Sequence, residues 1–401
     1  MDKFQIAVAV PIKNYSFDYP NRFYGVVGSI SGNTVTLESF STESYSESNN
    51  LNLVLAPGDK VWFETSSGTT ITSTVNTVSS NSFTILDTIT GDVITVQGYG
   101  SYIPGGWERD LLTYNEYTFD RPIGYFKGKC CAIRNFVSGG DPNTGQLTLK
   151  QSFDTDYYVS DIPYRIGCYY KRDIISSGII GSIGLLIRLS CSSSDFTGNS
   201  VLLDGSTVSS VNWTSGDVIQ YCNITNPDEF WLEITTKTPG DPDIEVSKIA
   251  KSTLYIDYVF VEHVYDPILK KTIYDEAPSS NAHTYYEIDA YPDLGSIRIN
   301  KRSKFSTEVL TDNSIRLKSF SGFGSLDDKY EISCRFTNEP VDVYKKLERL
   351  LRIQHNGYYL NFHSTLDNIP PVMTGVMELS EVSHDMWDLN LVSFNFTFKE
   401  A

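Results

Sequence analysis

The chain has 401 residues, with 32 Lys+Arg against 49 Asp+Glu and a formal net charge of −17 at pH 7. That balance argues against nucleic acid and against an anionic membrane surface as partners, since both require a Lys/Arg surplus on some face. With 13% aromatic and only 20% charged residues the composition argues against a disordered chain, and at ~100–200 residues per domain the length predicts two to four domains.

Residues 1–20 read as a lead-in. The apolar stretch Ile6–Val10 ends at Pro11, too short for the about 7–15 apolar residues of a secretory core. The longest apolar run, Ile179–Leu189, carries Arg188 and falls short of the ~20 residues that span a bilayer. Neither an export signal nor a membrane insertion is therefore expected. The cysteines at 130, 131, 168, 191, 222 and 334 contain no C-x-x-C pair and are expected as buried small apolar residues.

From Asn21 to Gly100 the chain is rich in Ser, Thr and Gly and contains an internal repeat. Val27–Leu37 matches Val75–Ile85, each copy being apolar, then a two-residue turn (Gly32-Asn33, Ser80-Asn81), then an alternating strand. This is a hairpin signature and predicts a small N-terminal β barrel or sandwich within residues 1–105. Tyr99–Gly106 reads as a linker by its Gly and Pro content.

Residues 106–265 form a second β region. Strands are predicted at Gln146–Gln151, Tyr164–Lys171, Gly184–Ser190, Asp217–Ile224, Glu229–Thr235 and Leu254–Val261, with no helical period between them, which indicates a sandwich. The order Leu147-Thr-Leu-Lys-Gln151, Tyr164-Arg-Ile-Gly-Cys-Tyr-Tyr-Lys171, Leu185–Leu189, Phe230-Trp-Leu-Glu-Ile234 and Leu254-Tyr-Ile-Asp-Tyr-Val-Phe-Val261 resembles a jelly-roll carbohydrate-binding module. That resemblance implies a structural calcium near the last strand, with Asp257 at the matching position. It also directs attention to Trp213, Tyr169, Tyr170, Tyr221 and Trp231 as carbohydrate-binding rings, because sugars stack on flat aromatic faces and Tyr or Trp adds a hydrogen-bonding edge. The competing reading of Tyr169 and Trp231 is sandwich core. Trp213 lies in the Ser/Thr-rich Ser209–Gly216, where exposure is expected.

Residues 266–401 are the third unit. Strands are predicted at Ser296–Lys301, Ser314–Phe320 and Tyr330–Phe336, followed by one helix over 340–354. Asn338 is its expected cap and Pro340 suits its first turn, while Val343, Leu347, Leu350 and Leu351 form an i, i+4, i+7, i+8 stripe and Gly357 stops it. Strands follow at Tyr358–His363, Val372–Val382 and Asp388–Lys399. In the last of these the apolar face flips between Leu389/Leu391 and Phe394/Phe396/Phe398, predicting a β-bulge around Val392-Ser393 or a strand that changes partner sheets there. With Tyr344–Gln354, Asn356–Phe362, Pro370–Gly375 and the closing Trp387…Phe398, this order resembles the tail-tube-like β-sandwich with one flanking helix of tail-tip and baseplate (distal-tail-like) proteins of tailed bacteriophages. The resemblance implies a ring of copies of this chain contacting other tail tube and tail-tip proteins, in a virion tail assembled in the host cytoplasm.

No G-x-S-x-G elbow, Walker A loop, H-E-x-x-H helix or dinucleotide fingerprint occurs, so the chain is expected to be non-enzymatic and without a cofactor apart from the calcium above. The expectation is a mainly β, three-part structural protein of a viral tail tip whose jelly roll contacts host-surface glycans or braces the tail. The alternative is a secreted carbohydrate-binding or carbohydrate-active protein with accessory β domains.

Overall fold

The computed structural model describes residues 4–17, 20–42, 51, 54–109, 117–120, 124–126, 128–135, 147–175, 181–192, 194–237, 251–272, 286–288, 290–303, 305–309, 315–319, 328–366, 368–386 and 388–401. The protein is mainly β, as expected, with a single α-helix among those residues. Trp387 lies outside the described residues.

The chain opens with β1 (Gln5–Val10) and then enters a closed barrel of β2 (Pro20–Ser31), β3 (Thr34–Thr42), β4 (Lys60–Thr65), β5 (Thr70–Val78), β6 (Ser82–Ile85) and β7 (Val93–Pro104), in the order β2-β3-β6-β5-β4-β7. The two repeated hairpins pair with each other through Thr34↔Thr84, Val35↔Phe83 and Thr36↔Ser82. Alternation then sends Val35, Val61, Phe63, Phe83 and Val96 inward, and closure leaves no free strand edge. The segment read as a linker is the second half of β7. Gly98, the β7 residue just before that segment, serves packing, since a Cβ would sit 2.5 Å from the Phe23 ring and 3.0 Å from the Lys60 carbonyl oxygen.

Two sheets face each other in the jelly roll. The strands are β8 (Glu108–Arg109), β9 (Tyr117–Asp120), β10 (Cys131–Asn135), β11 (Leu147–Phe153), β12 (Pro163–Ile174), β13 (Gly184–Cys191), β14 (Ser194–Asp195), β15 (Thr197–Gly198), β16 (Val201–Leu203), β17 (Val211–Tyr221), β18 (Phe230–Lys237) and β19 (Ser252–His263). One sheet runs β14-β13-β18-β11-β8 and the other begins β15-β17-β12-β19. Between them pack Ile166 and Cys168 of β12, Leu185 and Ile187 of β13, and Leu232 and Ile234 of β18, among others. The two connections to the barrel are clamped to this unit by one side chain. Gln151 accepts from Lys13 N at 2.8 Å and donates to the carbonyl oxygens of Lys13 and Gly106 at 3.0 and 2.8 Å.

The remaining elements are β20 (Tyr265–Asp266), β21 (Lys271–Thr272), β22 (Tyr286–Glu287), β23 (Arg298–Ser303), β24 (Phe305–Val309), β25 (Ile315–Ser319), β26 (Asp328–Pro340), α1 (Val341–His355), β27 (Tyr359–His363), β28 (Val372–His384) and β29 (Leu391–Glu400). Helix α1 lies where expected and buries Val343, Leu347, Leu350 and Ile353. Gly357 adopts φ 96 just beyond it, the left-handed stop that glycine favours. Two details differ. Leu351 is only partly buried, Ile353 taking its place on the inner stripe. Asn338 makes no cap, and Pro340 occupies that position without a side-chain bond.

Asn338 instead belongs to an irregularity that the sequence placed on the wrong strand. β29 keeps a single inner face through Val392, Phe394, Phe396 and Phe398. Its two neighbours each carry one extra residue, between Phe336 and Glu339 on β26 opposite Ser393 and between Ser380 and Ser383 on β28 opposite Phe394. The extra residues include Asn338 and Glu381, at φ 55 and 53, the left-handed geometry of a bulge.

The N-terminal segment is no lead-in. β1 pairs with β19 on one side, through Val8↔His263, Ala9↔Glu262 and Val10↔Val261, and with β27 on the other, from Gln5↔His363 to Ala9↔Tyr359. It thereby joins the jelly-roll strands to β27-β28-β29-β26-β23 in one continuous sheet. On one face Val10 enters the jelly-roll core while Phe4, Ile6 and Val8 enter the core under α1. On the other face Ala7 and Ala9 leave room for Glu262 to reach across β1. Its carboxylate accepts from Arg165 Nη1 and Asn361 Nδ2, both at 2.9 Å, and bonds His363 Nε2. Arg165 also clasps Asp217 through Nε and Nη2 at 3.0 and 3.3 Å. Burial alone would raise the Glu262 carboxyl, but His363, Arg165 and the hydrogen bonds outweigh it and hold it at about 2.

His263, one residue on, points to the opposite face, fully buried between the rings of Tyr164 and Tyr358. Among the described residues neither of its ring nitrogens finds a hydrogen-bond partner, and burial pushes it down to about 3.

Replacing Ile6 by Ala removes a fully buried side chain from the joining strand and is expected to cost about 2–5 kcal/mol in urea unfolding. A disposable lead-in would show no change. The His263 shift gives a signed pH dependence. The unfolded chain takes up a proton near 6.5 that the folded chain refuses until about 3, so stability falls as pH drops below 6.5, approaching ~1.4 kcal/mol per unit. Glu262 adds its own loss only as pH falls from 4.5 toward 2. Thermal unfolding between pH 6.5 and 4.5 should therefore steepen in the wild type and be flatter in His263→Phe.

Candidate binding face

The outer face of the β17-β12-β19 sheet, turned away from the sandwich core, carries the cluster of interest. On β12 the residues Tyr164, Ile166, Cys168 and Tyr170 point inward, so Arg165, Gly167, Tyr169 and Lys171 point outward by alternation. Both neighbours of Tyr169 are bulged. β19 has one extra residue between its pairings Gly167↔Phe260 and Tyr169↔Asp257, with Tyr258 at φ 46. As a result Asp257 and Tyr258, although consecutive, both leave the core side, which is continued by Ile256 and Val259. β17 has its extra residue between Val211 and Thr214, the stretch that holds Trp213.

Four rings gather there. Tyr125, 42% exposed, stacks on Tyr169 with centroids 4.5 Å apart and planes at 29°. It meets Trp213 edge-on at 5.8 Å, and Trp213 in turn lies 6.2 Å from Tyr255. Lys171 Nζ stands 5.0 Å over the Tyr255 ring and is paired with Asp173 at 3.0 Å. Trp213, Tyr169 and Tyr255 are half-buried. Burial pushes the Tyr169 hydroxyl up to about 12, with Tyr125 adding to the shift and a bond to Ser215 opposing it, so at neutral pH it keeps its proton. Below the cluster Tyr169 meets Tyr258, which contacts Tyr15 at 6.0 Å.

Asp257 anchors the segment that carries Tyr125. The side chain is fully buried, and its carboxylate accepts from Tyr125 N at 2.8 Å and Tyr258 N at 2.9 Å. Gly124 is required at this contact, because a Cβ would lie 2.3 Å from Asp257 Oδ2 and 3.1 Å from the Lys129 carbonyl oxygen. Among the described residues no group of three or more His, Cys, Asp or Glu side chains converges as a metal site, and two of the donors to this carboxylate are backbone N–H groups.

Of the five rings singled out in the sequence, the structure brings together Trp213 and Tyr169. Tyr170 is core, 8% exposed, its hydroxyl donating to the Leu202 carbonyl oxygen at 3.0 Å. Tyr221 is exposed but stands at the far end of β17, roughly 25 Å along the strand from Trp213. Trp231 belongs to the other sheet, where Lys150 Nζ covers its ring at 4.1 Å and its Nε1 donates to Glu233 at 2.7 Å. Sequence reasoning missed Tyr125 and Tyr255. The alternation Leu254-Tyr255-Ile256 did mark Tyr255 as outward-facing, whereas nothing local marks Tyr125, which reaches the face only through Asp257.

No family model and no curated protein matches the sequence. Among solved structures, the chain is similar to the CBM22-1 xylan-binding domain of Xyn10C from Paenibacillus barcinonensis, at 12% identity and a TM-score of 0.26, over 40% of this chain and 86% of that one. The CBM22-1-CBM22-2 tandem of the same protein gives 11% and 0.25 over 61% and 79%. The insecticidal delta-endotoxin Cry8Ea1 from Bacillus thuringiensis gives 11% and 0.20 over 64% and 55%. Scores this low carry no inference about this chain.

Removing the anchor should separate its role from metal binding. Asp257→Ala is expected to lower unfolding stability by about 1–3 kcal/mol, the cost of stranding buried N–H groups, by the same amount in EDTA and in millimolar calcium. A loss that appears only with calcium present would assign a metal ligand instead.

Proposed function

We propose that the chain is a glycan-binding protein whose aromatic face, built by Tyr125, Tyr169, Trp213 and Tyr255, takes uncharged sugar rings. The observation that carries this reading is the gathering of four aromatic side chains on the side of the sheet away from its own core, with Tyr125 raised and 42% exposed. Deeper on the same face Tyr258 and Phe260 are buried against Val372, whereas Tyr125 reaches solvent. Sugar C–H faces stack on such rings, while the Tyr hydroxyls and the indole edge offer hydrogen bonds to sugar hydroxyls. The cation at the rim, Lys171, is compensated by Asp173, which favours a neutral sugar over a uronic acid.

As the setting of this function we retain the tail-tip reading, with copies of the chain assembled through the C-terminal region. Its support is the order β26-α1-β27-β28-β29 with the helix on one face. A secreted glycan-binding protein would use the same face in the same way.

Titration calorimetry against a panel of neutral xylo-, gluco- and manno-oligosaccharides tests the binding face. For any sugar that binds, Trp213→Ala or Tyr125→Ala should weaken affinity by about tenfold or more (~1.4 kcal/mol), while Trp231→Ala on the far sheet should leave it within about twofold. Affinity unchanged in Trp213→Ala, or lost equally in Trp231→Ala, would remove this face as the site.

A further inference from the structure

Four of the six cysteines, 131, 168, 191 and 222, line the jelly-roll core. Two of them meet. Cys191 Sγ and Cys222 Sγ are 3.9 Å apart, in contact, and they come from opposite sheets. Cys191 is the last residue of β13, on the final rung with Phe230 and beside Ser194. Cys222 follows the last rung of β17, Pro163↔Tyr221. We infer that Cys191 and Cys222 are a disulfide site, which on oxidation ties the two sheets of the jelly roll together through their shared core.

Sulfur atoms in contact must close by about 2 Å to reach the ~2.05 Å of a disulfide bond. Strand ends can supply that movement where a mid-ladder pair, held by rungs on both sides, could not. The surroundings keep the pair together. The Tyr158 hydroxyl donates to the Ile224 carbonyl oxygen at 2.7 Å and approaches that of Cys222 at 3.4 Å, while Asp161 N bonds the Cys222 carbonyl oxygen at 3.1 Å. These bonds fix the backbone that follows β17, and Cys191 sits on a rung with the core ring Phe230. A cross-link between facing sheets is also how antibody sandwiches are stapled.

The reaction partner is a small-molecule disulfide. One cysteine thiolate attacks a sulfur of that reagent and expels one reagent thiolate, giving a mixed disulfide. The second cysteine thiolate then attacks the protein sulfur and expels the other. Two electrons pass from the protein thiols to the reagent, the two cysteine protons end on the two released thiols, and one sulfur–sulfur bond replaces another. Both cysteines are buried, 5% and 3% exposed, so exchange proceeds as the chain folds or as this end of the sandwich opens. The closed loop would enclose β14 to β17, including the strand that carries Trp213, and would restrict the unfolded chain accordingly.

The test is to refold the full chain in oxidised and reduced glutathione, and separately in dithiothreitol, followed by peptide mass mapping without reduction and thermal unfolding. The expected result is one cross-linked peptide pair joining Cys191 to Cys222, lighter by two hydrogens, and a Tm about 5–10 °C above the reduced form. That difference should vanish in Cys191→Ala and in Cys222→Ala. Should either variant fail to fold, the wild-type mapping decides alone. Full alkylation of both cysteines after oxidative refolding, a linkage involving Cys130, Cys131, Cys168 or Cys334 instead, or a cross-linked form no more stable than the reduced one would overturn the assignment. None of these outcomes depends on whether a glycan binds.

Discussion

The backbone of Gln5–Val10 is claimed from both sides, by β19 and by β27, and the rest of the architecture depends on that double claim. Without it the end of β19 beyond its rungs with β10, and the edge of the C-terminal sheet at β27, would each carry unpaired N–H and C=O groups. With it, two separate hydrophobic cores share one sheet, and β1 feeds side chains to both. The small size of Ala7 and Ala9 matters as much as the bulk of Ile6 and Val8. A larger residue at either alanine would stand between Glu262 and its partners on β27, leaving a buried carboxylate short of the bonds that offset its desolvation.

That sheet is asymmetric in chemistry across its faces. Around the joining strand one face is apolar except for His263, which burial keeps neutral, and the other carries Arg165, Glu262, Asn361 and His363 in a closed set of bonds. Farther along the second face the polar set gives way to aromatic rings, with Phe260 lying over Gly167 as the transition. Trp213 reaches the ring cluster by plain alternation with Ser215 and Asp217 on β17. The bulge on β19, between the partners of Gly167 and Tyr169, turns Tyr258 out of the strict two-residue alternation, so that it joins Asp257 on the same side beneath the cluster.

Much of this was legible in the sequence and some of it could not be. The hairpin repeat announced the barrel because turn chemistry and alternation are local. The helix was placed within one residue because its stripe and its glycine stop are local too. The joining role of Ile6–Val10 was invisible, because a short run of small and branched apolar residues looks the same whether it dangles or is paired on both sides. The irregularity near Ser393 shows the same limit at finer scale. Its position along β29 could be read, but the extra residues sit on strands distant in sequence. For the binding face, Trp213 and Tyr169 were nameable from residue type and context, while Tyr125 is there only because a carboxylate on another strand holds its backbone.

The double pairing of β1 also sets a timetable for the chain. During synthesis β1 emerges long before Glu262 and longer still before Asn361, and the whole barrel is made in between. The barrel closes on itself and can fold as soon as Pro104 has emerged, while the segment preceding it must wait for strands made near the end. Contacts this remote in sequence form slowly, and a waiting apolar strand is an invitation to wrong pairings. Until its partners arrive, the small barrel and the Gln151 clamp are what keep that strand close to the place it will finally occupy.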